Sequence, residues 1–299
     1  MPTSATMKAA RIHEYGDADV IRFEDIPRPS PGPGEVLIRM AATSFNPSEV
    51  GLRAGYLHDL LDVTLPATLG WDVAGTVVEL GPDVTGLAVG DDVIGLVSGC
   101  AAEYVVAPAA ELAPAPRSIP LAHAAAIPVA GLTAWQAVFD QARIGAGQRV
   151  LINGAGGGVG LFAVQLAKHA GATVIATASP RSTEAVRRLG ADEIVDYTAT
   201  PLPGGMDVVL NLAAIPEAAA AALAPLGEVV VTIATPIEAP NAHHFVGTSD
   251  PAQLTAMAEL IDKGELTVEI AETHHFTHMT EIHRRAEAGQ TRGKIILNF

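Results

Sequence analysis

The chain has 299 residues, with 18 Lys and Arg against 33 Asp and Glu (formal net charge −15), and it is 49% hydrophobic and 17% charged. An acidic surface repels a phosphate backbone, which excludes generic nucleic-acid binding, and the apolar content is ample for folded cores rather than disorder. The length suits about two domains, and the lone Cys100 excludes an intrachain disulfide and a multi-thiolate zinc site and suits a reducing compartment.

In chain order, Met1–Thr6 has neither a basic start nor an apolar stretch, so a cytoplasmic location is expected. Short β-type runs follow at Lys8–His13, Glu35–Ala42, Gly75–Leu80, Asp92–Leu96 and Ala102–Val106, separated by Pro and Gly. Pro27, Pro29, Pro31, Gly32, Pro33 and Gly34 mark a turn-rich connection. Two uncharged runs, Ser118–Phe139 and Val150–Ala167, are long enough to test against membrane insertion. Pro120, His123, Pro128, Gly131 and Gln136 in the first, and Asn153, Gln165 and five glycines in the second, make both buried soluble core.

From about Ile119 the pattern alternates strand and helix, the signature of a parallel sheet covered on both faces. Strands are predicted at Val150–Asn153, Thr173–Thr177, Ile194–Asp196, Asp207–Asn211, Glu228–Ile233 and His244–Gly247. Helices are predicted at Val159–Ala170, Thr183–Leu189, Glu217–Leu223 and Pro251–Lys263. Leu266–Phe276, a helix at Met279–Ala288 and a closing strand at Lys294–Phe299 do not continue the repeat and return to the first domain. The predicted fold class is therefore α/β, with a six-stranded doubly wound domain over 119–264 inserted in a β-rich domain built from 1–118 and 265–299.

The sharpest motif is Asn153-Gly154-Ala155-Gly156-Gly157-Gly158-Val159-Gly160, between a strand and a helix. Glycines there permit a tight turn, close approach of a pyrophosphate to backbone amides, and close helix–sheet packing, with the phosphates on the helix N-terminus. A carboxylate at the end of the second strand would accept from the ribose hydroxyls of NADH. This strand instead runs into Ala178-Ser179-Pro180-Arg181, where Ser179 and Arg181 suit a 2′-phosphate, so NADPH is the expected cofactor. Alternatively, Arg181 is a solvated residue at a helix start.

With that loop in place, the chain resembles the quinone oxidoreductase branch of the medium-chain dehydrogenase/reductase superfamily, the group containing zeta-crystallin. The matching stretches include Asn46-Pro47-Ser48-Glu49, Arg53-Ala54-Gly55, Gly70-Trp71-Asp72-Val73-Ala74-Gly75 and Gly90-Asp91-Asp92-Val93. Further on come Ala102-Glu103-Tyr104-Val105-Val106, Pro128-Val129-Ala130-Gly131-Leu132-Thr133-Ala134-Trp135, Leu189-Gly190-Ala191-Asp192, Asp196-Tyr197 and Gly293-Lys294-Ile295-Ile296-Leu297, in the family's order. The resemblance implies a Rossmann domain inserted in a GroES-like catalytic domain, NADPH and substrate meeting between the domains, and homodimers formed by an edge strand near Glu228–Ile233. It further implies that the enzyme reduces a small-molecule quinone or α,β-unsaturated carbonyl, with no nucleic-acid or membrane partner.

Zinc-dependent relatives carry Cys at the position of Asn46 and a His-Glu pair at Trp71-Asp72, so the resemblance implies no metal. His243-His244 and the group His274, His275, His278 and His283 read as surface or packing histidines. Without a metal, hydrogen-bond donors must stabilise the oxygen on which charge develops, and Asn46, Thr43 or Ser44, and Tyr56 are the candidates. Asn46 also serves as a turn residue before Pro47, and Tyr56 as a rim aromatic, in the plainer readings. Relatives place larger donors at the positions of Val50 and Gly51. For the cofactor the resemblance implies Asn46, Thr133, Gly154–Val159, Ser179, Arg181, Tyr197, Leu212, Ala213, Ile233, Thr235, Phe245, Val246 and Lys294. Thr133 as a cap at a helix start and Tyr197 as packing are the alternatives. A non-catalytic, structural or regulatory NADPH-binding role is the competing function.

Overall fold

The computed structural model describes residues 6–58, 60, 61 and 63–299. The chain separates into two compact units, one comprising the chain up to Val129 with Ser249–Lys263 and Ile270–Phe299, the other Ala130–Thr248 with Gly264–Glu269.

The first unit begins with β1 (Thr6–Ile12), β2 (Ile21–Pro27), β3 (Glu35–Phe45), α1 (Ser48–Ala54), β4 (Ala67–Thr68) and β5 (Asp72–Leu80). It continues through β6 (Asp92–Leu96), β7 (Tyr104–Pro108), β8 (Leu112–Pro114) and α2 (Leu121–Ala124). A short sheet has the order β2-β1-β4. The 11-residue β3 anchors the larger sheet: its first half pairs with β5 and β7, and Ala42–Phe45 pairs antiparallel with the last strand of the chain. Alternating apolar residues of these strands, among them Val36, Ile38, Val73, Val77, Val93 and Val105, close one core.

The second unit follows α3 (Pro128–Trp135) with β9 (Arg149–Asn153), α4 (Gly158–His169), β10 (Thr173–Thr177), α5 (Thr183–Arg188) and β11 (Glu193–Val195). Then come β12 (Met206–Asn211), α6 (Glu217–Ala221), β13 (Gly227–Thr232) and β14 (Ala242–His244). All its strand pairs are parallel, in the order β11-β10-β9-β12-β13-β14. Near-continuous apolar runs such as Val150-Leu151-Ile152 and Val208-Val209-Leu210 are buried because helices cover both sheet faces. This is the doubly wound Rossmann arrangement, and the fold is α/β.

The chain ends with α7 (Pro251–Asp262), β15 (Ile270–His275), α8 (Met279–Glu287) and β16 (Lys294–Asn298). β15 and β16 extend the β3 sheet and complete the GroES-like domain.

Two expectations change. The predicted strand Glu228–Ile233 is not an edge: β13 lies between β12 and β14, so the free edge on that side is β14. Ser249–Lys263 clusters with the first unit, because Asp262 Oδ1 accepts the backbone N–H groups of Arg117 and Ser118 at 2.8 Å each.

Candidate functional site

The sheet of the second unit presents its polar residues at the carboxyl ends of its strands. Asn153, ending β9, donates through Nδ2 to Asn211 Oδ1 on β12 at 2.8 Å and accepts from Thr177 Oγ1 on β10 at 3.0 Å. Thr177 Oγ1 in turn accepts the N–H of Gly154 at 3.0 Å. Three adjacent strand ends are thus locked around the first glycine of the loop.

Gly154 has φ +86°, a conformation that side chains resist, and a Cβ there would lie 3.0 Å from Ala213 Cβ. A Cβ on Gly160 would lie 2.6 Å from Ala155 Cα and closer still to the Gly154 carbonyl, so only glycine lets α4 approach β9 this nearly. Gly157 precedes the helix in an extended conformation, and no side chain caps it. The N-cap of α4 thus supplies no side chain to the first N–H groups of the helix, the feature that lets a helix N-terminus take an anionic phosphate.

At the end of β10, Ala178 is buried, Ser179 half-buried and Arg181 exposed, and no acidic side chain occurs from 178 to 183. The Ser179 carbonyl accepts from Ser182 N and Thr183 N at 2.9 and 3.1 Å, which turns the chain into α5 and leaves the Ser179–Arg181 segment at the surface. Tyr197 is 55% exposed just past β11. Leu212 N donates to Asn153 O and Ile233 N to Asn211 O, while Thr235 Oγ1 donates to Ile215 O at 2.8 Å. Phe245 and Val246 follow the end of β14, and Val246 is exposed. The residues assigned to the cofactor in this unit are therefore gathered along one sheet edge, with Thr133 packed against Gly247. Thr133 is the sixth of eight residues in α3, not at its start, so capping does not explain it.

In the first unit a second polar group is fully enclosed. Asp72, at the start of β5, is its hub: Oδ2 accepts from Asn46 Nδ2 at 2.8 Å, from Lys294 Nζ at 3.4 Å and from Ser44 Oγ, and Oδ1 accepts from Val129 N at 2.7 Å. Lys294 Nζ also donates to Asn46 Oδ1 at 2.9 Å. Asn46 N and Nδ2 lie 3.2 and 3.3 Å from Glu49 Oε1. Ser44, Glu49 and Asp72 are fully buried, and Asn46 and Lys294 nearly so. Burial, and then the charge of Asp72, raise the Glu49 carboxyl to about 8.

This geometry revises the expectation for two residues. The Asn46 amide is turned inward onto Asp72 and Glu49, and Lys294 is turned inward onto Asn46, because a buried ammonium and carboxylate need every available partner. Neither presents free donors at a surface. Tyr56, 81% exposed after α1, does present its side chain. Sequence reasoning did not single out Glu49 as a site residue or Asp72 as the hub.

The histidines divide as packing and surface groups. His283 is buried against Phe45, and His274 Nε2 lies 2.8 Å from Glu272 Oε2 beside Arg285. Among the described residues no three His, Cys, Asp or Glu side chains come together as a metal site, and no helix is long and apolar enough to cross a membrane.

The sequence signature of the alcohol dehydrogenase GroES-like domain matches residues 32–117, and that of the zinc-binding dehydrogenase domain matches 189–297. The chain is 43% identical over 189 residues to the spectinabilin polyketide synthase system protein NorB of Streptomyces orinoci; the match covers 60% of this chain but only 8% of that much longer protein. It is 32% identical to the mitochondrial NAD(P)H oxidoreductase RTN4IP1 of Homo sapiens over 99% of this chain and 90% of the other. The structure of the quinone oxidoreductase from Coxiella burnetii superposes with a TM-score of 0.89 at 30% identity, covering 99% of this chain and 100% of that one.

Proposed function

Since the chain belongs to the medium-chain dehydrogenase/reductase superfamily, in its quinone oxidoreductase branch, and is a nicotinamide-dependent oxidoreductase, we propose that it uses NADPH, without zinc, to reduce a quinone or an α,β-unsaturated carbonyl compound. The observation that carries the cofactor choice is the end of β10, where Ser179 and an exposed Arg181 replace the carboxylate that would accept from a ribose. Gly154–Val159 and the start of α4 would hold the pyrophosphate, and Ser179 and Arg181 the 2′-phosphate. Thr133, Tyr197, Leu212, Ala213, Ile233, Thr235, Phe245 and Val246 complete the nucleotide side. The bound cofactor supplies the hydride.

On the substrate side, Tyr56 is proposed as the exposed residue nearest the reacting group, and Asn46, its amide already engaged by Asp72, Glu49 and Lys294, as a residue that shapes the site from within the buried cluster. A quinone needs little help from the protein, because its reduced anion is delocalised over the ring and takes a proton from water. Zinc independence is supported by the chemistry of the positions themselves: an amide and an indole, Asn46 and Trp71, stand where a thiolate and an imidazole would be needed, and Lys294 already occupies the Asn46 oxygen. A homodimer in the cytoplasm completes the proposal; the exposed edge β14 is available for pairing, and a single buried thiol suits a reducing compartment.

Initial rates of NADPH and NADH oxidation against ortho-quinones, para-quinones and enones test this reading. Turnover of at least one acceptor, faster with NADPH, is expected. Equal use of both dinucleotides would remove the 2′-phosphate assignment.

A further inference from the structure

The buried polar group of the first unit contains two carboxyl groups and one ammonium, and the two carboxyls are treated very differently. Asp72 receives four donors from three separate segments: Ser44 Oγ and Asn46 Nδ2, Lys294 Nζ, and Val129 N. Glu49 receives only the N–H and Nδ2 of Asn46, at 3.2 and 3.3 Å, both on Oε1. Its Oε2 is enclosed and has no partner. The single positive charge of Lys294 is spent on Asp72, so an ionised Glu49 would be a second, uncompensated anion in the same enclosure.

The groups around Glu49 do not change this balance. Asp72 on β5 disfavours its ionisation, and Lys294 on β16 opposes that only in part. Cys100 is a buried thiol whose pKa is pushed up by burial and by both carboxyls, so it stays neutral as well. Arg53, one turn further along α1, pairs with Glu287 on α8.

We propose that Glu49 is held as a neutral carboxylic acid that positions Asn46, and that loss of its proton sets the alkaline limit of the reductase reaction. The mechanism is steric and electrostatic. Neutral Glu49 accepts the Asn46 backbone and amide protons and leaves Lys294 on Asp72. Ionised Glu49 competes for Lys294 and Asn46, and so loosens the Asp72 contacts to Asn46 and to Val129 at the start of α3. The functional half of the proposal rests on the reductase reading; the protonation half does not.

Two measurements separate the halves. In wild-type protein labelled with ¹³C at the glutamate carboxyl, one resonance is expected to keep the protonated shift at neutral pH and to titrate near 8. Complete ionisation of every glutamate below about pH 6 would overturn the proposal whatever the enzyme reduces. In turnover, the wild-type rate is expected to fall about tenfold per pH unit above the Glu49 midpoint. Glu49→Gln, which keeps the accepting oxygen but cannot ionise, is expected to lose that limb, and Glu49→Ala to lower the catalytic constant at every pH with little change in NADPH affinity. An alkaline limb that persists unchanged in Glu49→Gln would overturn the positioning role even if the resonance titrates as expected.

Discussion

Lys294 Nζ donates to Asn46 Oδ1 at 2.9 Å, joining the first turn after β3 to a strand 248 residues later. Because the same ammonium is the counter-charge of buried Asp72, Lys294→Met is expected to cost about 3–5 kcal/mol, the penalty for stranding one member of a buried pair. Urea unfolding measures it. Adding Asp72→Asn to Lys294→Met is expected to recover part of the loss, because the stranded charge is then removed.

The glycine loop gives a steric prediction with an internal control. Gly160→Ala places a Cβ 2.6 Å from Ala155 Cα, so α4 must move off β9, and both melting temperature and dinucleotide affinity are expected to fall. At Gly145 a Cβ meets nothing within 4 Å, so Gly145→Ala is expected to leave both unchanged. Thermal melts with and without NADPH compare the two variants.

Most of the second unit was legible in the sequence because its strands are short apolar runs bounded by glycine or by helices with a polar face. The predicted Thr173–Thr177 coincides with β10, and in the first unit the predicted Asp92–Leu96 coincides with β6. Two-residue β4 and three-residue β8 are too short to show periodicity, and α1 was hidden because its buried face carries the charged Glu49 and Arg53 beside a single apolar residue, Leu52. The polar cluster was not legible for a different reason. Its hub accepts from partners 26, 28, 57 and 222 residues away, and no local spacing encodes that convergence. The only signal available was a Lys and an Asp inside otherwise apolar strand patterns, Lys294 before Ile-Ile-Leu and Asp72 before Val-Ala.

Cofactor choice is tested at Arg181. Arg181→Ala is expected to weaken NADPH by about 1–3 kcal/mol, the range for a charge-assisted hydrogen bond, and to leave NADH nearly unchanged. Fluorescence titration with both dinucleotides decides it, and equal losses would return Arg181 to the solvated surface.

His283 supplies a pH prediction. Burial, and then the neighbouring Arg53 charge, lower it to about 3 from an ordinary 6.5. The unfolded chain therefore takes up a proton below about pH 6.5 that the folded protein refuses until about 3, and stability is lost as pH falls through that window. His283→Leu removes the linkage, so the stability of the wild type relative to this variant is expected to decline from pH 7 to pH 4. A pH-independent difference between their melting temperatures would place a partner on the imidazole in solution.

Single-turnover oxidation of NADPH deuterated at C4, mixed with the best quinone or enone acceptor after exhaustive chelation, tests the central claim most directly. The expected result is full activity without metal and a slower rate for the deuterated cofactor, as hydride transfer in the Rossmann-bound nucleotide requires. Bound NADPH that is never oxidised by any acceptor, or activity that disappears with chelated zinc and returns with its addition, would contradict it.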